Sequence, residues 1–158
     1  MTAVTTVEPG LVGVGYEGQP IDNFVAGLLA AGVSRLVDVR LTPISRKPGF
    51  SKSALTRALA DVGISYEHRR ELGNPKTNRS GFTGAPEELA AARARFAEML
   101  REPAAADALD AVVEAGQRER VAVLCFEADQ RHCHRDVVLQ AAQNRLLSAS
   151  GARRRRER

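Results

Sequence analysis

Leu11-Val12-Gly13-Val14-Gly15 is a brief apolar run ending in glycine, a length that suits a buried strand better than a helix. Ile21, Phe24, Val25, Leu28 and Leu29 then recur at i, i+3, i+4, i+7 and i+8, with Pro20 ahead of them and Gly32 behind, which predicts an amphipathic helix with a glycine stop. Leu36-Val37-Asp38-Val39 predicts a second strand, and Ser51 caps a second helix through Leu55, Ala58, Leu59 and Val62 to Gly63. Ile64-Ser65-Tyr66 predicts a shorter third strand. From Leu72 to Ala85 apolar periodicity vanishes and Gly, Asn, Pro, Ser and Thr dominate, so this is a long loop of the kind that carries function. Helices are predicted from about Pro86 to Arg101 and from Pro103 to Gly116. Val121-Ala122-Val123-Leu124-Cys125-Phe126 is the strongest strand signal, a continuous apolar run typical of a central strand buried on both faces. Val137, Val138, Ala141, Ala142 and Leu146 mark a last helix.

Strands alternating with helices predict right-handed crossovers and a parallel sheet covered by helices. The expected fold is α/β: a single-domain, Rossmann-like three-layer sandwich with a small, mostly parallel sheet of about four strands. Residues 1–10 form an N-terminal extension, 11–150 the domain and 151–158 a disordered arginine-rich tail. With strand one between strand two and the late strand, the order reverses at strand one, and ligands of open α/β sheets bind at the carboxyl ends beside such a switch. That arrangement gathers Gly15-Tyr16-Glu17-Gly18, Asp38-Val39-Arg40, the segment Thr42 to Arg46, Phe126-Glu127 and His132-Cys133-His134-Arg135.

The composition of the 158 residues, 44% hydrophobic and 27% charged with 13 glycines, excludes a wholly disordered, collagen-like or disulfide-stapled chain. No stretch approaches the roughly 18 apolar residues of a membrane helix, and the first ten residues lack the regions of a signal peptide, so a cytoplasmic protein with no membrane partner is expected. The two cysteines, Cys125 and Cys133, are then thiols and not a disulfide. The net charge of +4 resides in the tail, where Arg153, Arg154, Arg155, Arg156 and Arg158 face only Glu157. The body is neutral but polarised. From Arg40 to Arg79, nine Lys or Arg oppose three acids, a local excess of +6 that points to one anion-attracting face.

The same strand-end residues carry a family resemblance. Gly15-Tyr16, Leu36-Val37-Asp38-Val39-Arg40 with Pro43 and Ser45-Arg46, Phe50-Ser51-Lys52, Gly63-Ile64-Ser65-Tyr66, Leu72-Gly73, and Leu124-Cys125-Phe126-Glu127 followed by Cys133-His134-Arg135 occur in order. Over roughly residues 11 to 147 the chain resembles the domain of unknown function 488 family, which implies a small α/β domain of bacterial type and leaves the reaction open. Glu17 departs from the small hydroxyl residue expected after Gly15-Tyr16.

On its own chemistry, Cys133 falls at the start of the last helix, where free N–H groups, the helix dipole and Arg131, His132 and Arg135 favour a thiolate. Glu127 is a candidate general base or a partner for Arg135, and His134 a proton shuttle. Glu127, Cys133 and His134 are therefore the candidate catalytic residues. The alternative is a cysteine packed beneath the helix and a Glu127–Arg135 ion pair fixing the turn. Cys125 to Arg131 fits the spacing of a phosphate-cradling thiol loop, but Glu127 and Asp129 put carboxylates where phosphate oxygens belong. A metal site from His132, Cys133, His134 and His68 is disfavoured because adjacent residues at a helix start point apart, and neither a metal nor another cofactor is expected. Asp38, Arg40, Ser45, Arg46, Lys52 and Arg135 are the candidate substrate-binding residues.

Two functions follow. The first is an enzyme-like domain, with acid/base or thiol-dependent chemistry, that binds a small anionic ligand, nucleotide-like or phosphorylated, at the carboxyl ends of the strands. The second is a nucleic-acid-binding accessory module that uses the basic 40–79 face and the arginine tail on DNA or RNA.

Overall fold

The computed structural model describes residues 7–157. Strands β1 (Gly10–Gly15), β2 (Arg35–Asp38), β3 (Ser65–His68) and β4 (Arg120–Cys125) form one all-parallel sheet in the order β1-β4-β2-β3. The helices are α1 (Ile21–Ala30), α2 (Lys52–Ala60), α3 (Lys76–Arg79), α4 (Pro86–Met99), α5 (Pro103–Arg118) and α6 (His134–Arg156). Helices α1 and α2 cover one face through Phe24, Leu28, Leu55 and Leu59 against Leu36, Ala122 and Leu124. Helices α4, α5 and α6 cover the other through Phe96, Leu109, Val112 and Val138 against Val37, Val121 and Val123. This is the three-layer α/β sandwich that the alternating elements predict.

The strand order differs from the expected one. β4, not β1, lies between its neighbours, and β1 is an edge strand. Residues Val121 to Cys125 are all buried, whereas β1 contains Gly10, Gly13 and Gly15 and buries only Leu11. The strand able to bury side chains on both faces takes the middle. The chain winds outward through β2 and β3 along one face and returns along the other to insert β4, so the switch point lies at the carboxyl ends of β4 and its neighbours.

Local signals place the helices around this sheet. The Ser51 hydroxyl accepts a hydrogen bond from the Ala54 N–H at 3.3 Å and starts α2. Pro86 and Pro103 stand at the first positions of α4 and α5. The segment from Leu72 to Ala85, expected as a loop, is partly structured: α3 is one turn long, flanked by 3₁₀ turns at Arg70–Leu72 and Ser80–Thr83, and the segment seats Phe82 and Asn78 in the interior. A single turn is too short to leave a 3.6-residue period.

α5 runs past Gly116 to Arg118, with Gly116 buried against the Leu11 side chain. α6 continues to Arg156, so the segment expected to be disordered beyond residue 150 is helical up to that point. Ala and Arg are strong helix formers, and they extend the helix as exposed turns without any apolar face. Residues 1–6 of the expected N-terminal extension and Arg158 lie outside the described residues. Among the described residues, no helix is long and apolar enough to cross a membrane.

Candidate functional site

Alternation along β2 sends Asp38 and Arg40 to the face of α1 and α2, and Val39 to the opposite face. Asp38 is fully buried and accepts from the Arg40 backbone N–H (3.0 Å), from Arg40 Nε (2.9 and 3.1 Å to its two oxygens), from Arg40 Nη2 (2.7 Å) and from the Tyr66 hydroxyl (2.6 Å). Arg40 Nη1 donates to the Phe50 carbonyl at 2.7 Å and to the Tyr16 hydroxyl at 3.2 Å. Burial disfavours the guanidinium charge, but hydrogen bonds to Asp38 and its charge outweigh this and hold Arg40 above its ordinary pKa. Asp38, expected to bind substrate, therefore has its oxygens occupied by Arg40 and Tyr66. The pair closes the strand and pins the loop that follows.

Tyr66 is half-buried, and burial, then its hydrogen bond to Asp38 and the carboxylate charge, push its phenol above the ordinary 10.0. The folded protein keeps this proton longer than the unfolded chain, so the associated stability is present below about pH 10 and is lost as pH rises beyond it. Tyr66→Phe is expected to cost about 1 kcal/mol at neutral pH, for one lost hydrogen bond to a charged group at a half-buried site. It should also flatten the fall in stability above pH 10. Urea unfolding from pH 7 to 11 measures both, and an alkaline limb as steep as that of the parent would contradict the coupling.

On the opposite face, β4 ends in Cys125, and Cys133 is the N-cap of α6 with an extended backbone (φ −133°, ψ 141°). Both thiols and His134 are buried. His134 Nε2 lies 2.8 Å from the Val39 carbonyl, while Nδ1 lies 3.7 Å from Cys125 Sγ and 3.9 Å from Cys133 Sγ. A carbonyl can only accept, so Nε2 carries the proton of the neutral ring and Nδ1 turns its lone pair to the sulfurs. The Cys133 thiol is held well above its usual pKa, first by its hydrogen bond with Cys125 and then by burial, with His134 acting in the other direction. The expected thiolate is not favoured here. The helix start does supply free N–H groups, but the hydrogen bond with Cys125 and then burial disfavour the charge more. Cys133 and His134 were also expected to diverge, yet they converge, because the extended N-cap breaks the helical progression between them.

Between these two networks, a cavity of about 230 Å³ opens at the carboxyl ends of β2 and β4. Arg40, Glu127, Cys133 and His134 line it, as do Cys125, Asn74, Arg79, Phe82 and Phe126. Glu127 Oε2 is buried without a hydrogen-bond partner. Asn78 Nδ2 donates to the Ala92 carbonyl (3.0 Å) and to Asn74 Oδ1 (3.1 Å), which leaves the Asn74 amide N–H groups as donors at the cavity wall. Arg79 donates through Nε to the Asn74 carbonyl at 3.1 Å and has no carboxylate partner among the described residues.

Other sequence candidates lie elsewhere. Arg135 is buried and donates through Nη1 to the Glu127 carbonyl at 2.6 Å, so it fixes the backbone of the turn instead of pairing with the Glu127 carboxylate. The Ser45 hydroxyl accepts from the Lys47 N–H at 3.2 Å, and the Arg46 side chain is exposed. Lys52 borders a separate shallow hollow with Pro43 and Ile44. Glu17, the departure from the family pattern, bonds through its backbone N–H to the Phe126 carbonyl at 2.9 Å, and its carboxylate accepts from the Ala128 N–H at 3.4 Å. Cys125, Asn74, Arg79 and Phe82 were missed as site residues. The only signal for the last three was the aperiodic polar segment they occupy, and Arg79 closes the +6 stretch.

The family model described as "Domain of unknown function DUF488" matches residues 20–142. No curated protein and no solved structure matches the chain.

Proposed function

Given that the chain belongs to the domain of unknown function DUF488 family, whose name carries no reaction, we propose from the site itself an enzyme-like α/β domain that binds a small anionic ligand, nucleotide-like or phosphorylated, in the cavity at the carboxyl ends of β2 and β4. The observation that carries this reading is the division of the cavity wall. Arg79 and the Asn74 amide supply donors, Glu127 supplies an acceptor without a protein partner, and Phe82 and Phe126 supply apolar surface. A ligand that joins a planar hydrogen-bonding portion to an anionic group satisfies all three. The volume of about 230 Å³ accommodates the planar portion, with the anionic group at the mouth beside exposed Arg79. Glu127 is then placed to accept a proton.

A thermal-shift screen against nucleotides, nucleobases and sugar phosphates identifies the class, since binding to the native state raises apparent stability. For a phosphate-bearing ligand, Arg79→Ala is expected to weaken affinity by about 10- to 100-fold, as for one lost hydrogen bond between charged groups. Stability should barely change, because the side chain is exposed. Arg95→Ala, an exposed cation on α4, serves as the control. No binding by any class, or equal affinity in Arg79→Ala, would refute the reading.

One observation favours nucleic acid as an alternative partner: Arg153 to Arg156 form an exposed last turn of α6 with no acidic partner among the described residues. Deleting the chain from Arg153 separates the two readings. Loss of DNA or RNA affinity and of its salt dependence supports the alternative, whereas unchanged binding of the small ligand supports the cavity.

A further inference from the structure

We infer that Cys125, Cys133 and His134 form a binding site for one soft divalent cation of the zinc class, with a fourth coordination position open to the cavity that Glu127 lines. The two sulfurs and Nδ1 lie within 4.8 Å of one another, with Nδ1 at 3.7 and 3.9 Å from the sulfurs. A tetrahedral ion with metal–sulfur bonds of about 2.3 Å and a metal–nitrogen bond of about 2.0 Å holds such N and S atoms about 3.5 Å apart. The nitrogen thus stands within a few tenths of an ångström of its place relative to both sulfurs before any ion arrives.

Three further features distinguish this cluster from two thiols that merely happen to pack together. The Nε2–H donation to the Val39 carbonyl at 2.8 Å fixes the ring and its tautomer, as the free ring nitrogen of metal-ligating histidines commonly does. Phe96 meets the imidazole edge-on at 5.2 Å, so the histidine side of the site is apolar, and two sulfurs with one imidazole are a ligand set that magnesium and calcium do not favour. All three ligands border the cavity, giving three protein ligands and one open position, the pattern of catalytic zinc. On binding, each cysteine loses its S–H proton to solvent and two metal–thiolate bonds form, so the ion's two charges are neutralised in place and two protons are released per metal. The open position faces the cavity of the proposed function, on which this placement rests and whose wall Glu127 shares.

The test titrates the reduced, chelator-treated full chain with Co²⁺ alone under anaerobic conditions. Saturation is expected at one equivalent, with the intense visible bands of a tetrahedral ion, a thiolate-to-metal charge-transfer band in the near ultraviolet, displacement by Zn²⁺, and release of two protons. Cys125→Ser and Cys133→Ser should each weaken that band and the affinity. The parent protein decides the matter even if those variants fold poorly, because metal should also protect both thiols from alkylation. Absence of a tetrahedral spectrum at one equivalent, undiminished affinity in either serine variant, or a Cys125–Cys133 disulfide as the stable state in the presence of metal would overturn the site. Since the titration contains no organic ligand, its failure is separate from failure of the anion-binding reading, and the ligand screen run with chelator and with Zn²⁺ tests that reading in its own right.

Discussion

Replacing Asp38 with alanine is expected to lower the unfolding free energy by about 3–5 kcal/mol, the cost of breaking a buried ion pair by removing one partner. Asp38 is fully buried, and Arg40 retains only 6% of its exposure. Three of the Arg40 contacts to Asp38 come from Nε and Nη2. In Asp38→Ala, the Phe50 carbonyl and the Tyr16 hydroxyl still accept from Nη1, but neither is an anion, and the charge stays in a largely buried site. Against a total stability of about 5–15 kcal/mol, this loss is a large share of what holds the domain together. Removing the charge as well should recover part of it, so Asp38→Ala with Arg40→Met is expected to be more stable than Asp38→Ala alone. Equilibrium urea unfolding of the parent, the two single variants and the double variant measures the coupling. A loss below about 1 kcal/mol for Asp38→Ala, or additive single effects, would show that the pair is not the fastening described here. Because Arg40 also ties down Phe50 and Tyr16, the loop from Leu41 to Phe50 should become open to proteolysis in the same variant.

That pair illustrates how far the residues alone could be read. The pattern Asp38-Val39-Arg40 at a strand end marked a special place, and two-residue alternation puts both charges on one face. Whether they serve a ligand or each other depends on Phe50 and Tyr66, which arrive from other elements. The crossovers from β1 to β3 were legible because their periodicities and glycine stops are local, and so was the Ser51 cap. The apolar run of β4 revealed a central strand but not its neighbours, because pairing order is a contest among strands and leaves no local trace. Cys125 read as one more apolar residue of that run. Its meeting with Cys133 and His134 depends on the extended N-cap at the start of α6, a backbone turn eight residues downstream. Asn74 and Arg79 stayed hidden because α3 is a single turn.

Gly15→Ala is expected to destabilise the fold by about 2–3 kcal/mol and, with it, to abolish ligand binding in the cavity. Gly15 ends β1 opposite Cys125, and its backbone is not in the left-handed region, so alanine is allowed there as a conformation. The obstacle is contact. A Cβ at this position would lie 2.1 Å from the Glu127 carbonyl oxygen, 2.9 Å from its carbon and 3.0 Å from Arg135 Nη1. That carbonyl is the acceptor for Arg135, and the preceding carbonyl, of Phe126, is the acceptor for the Glu17 N–H. The clash therefore cannot be relieved by a flexible side chain. The backbone of Phe126 to Ala128 must shift, at a cost typical of overpacking, and Glu127 leaves its place on the cavity wall. Gly27→Ala provides the contrast, since a Cβ there meets nothing within 4 Å on the exposed side of α1. That change should raise stability by about 0.5–1 kcal/mol, the difference between glycine and alanine inside a helix, and leave binding intact. Thermal unfolding together with the ligand screen reads both variants, and a Gly15→Ala protein that binds as the parent does would show that Glu127 and its turn are not what the cavity depends on.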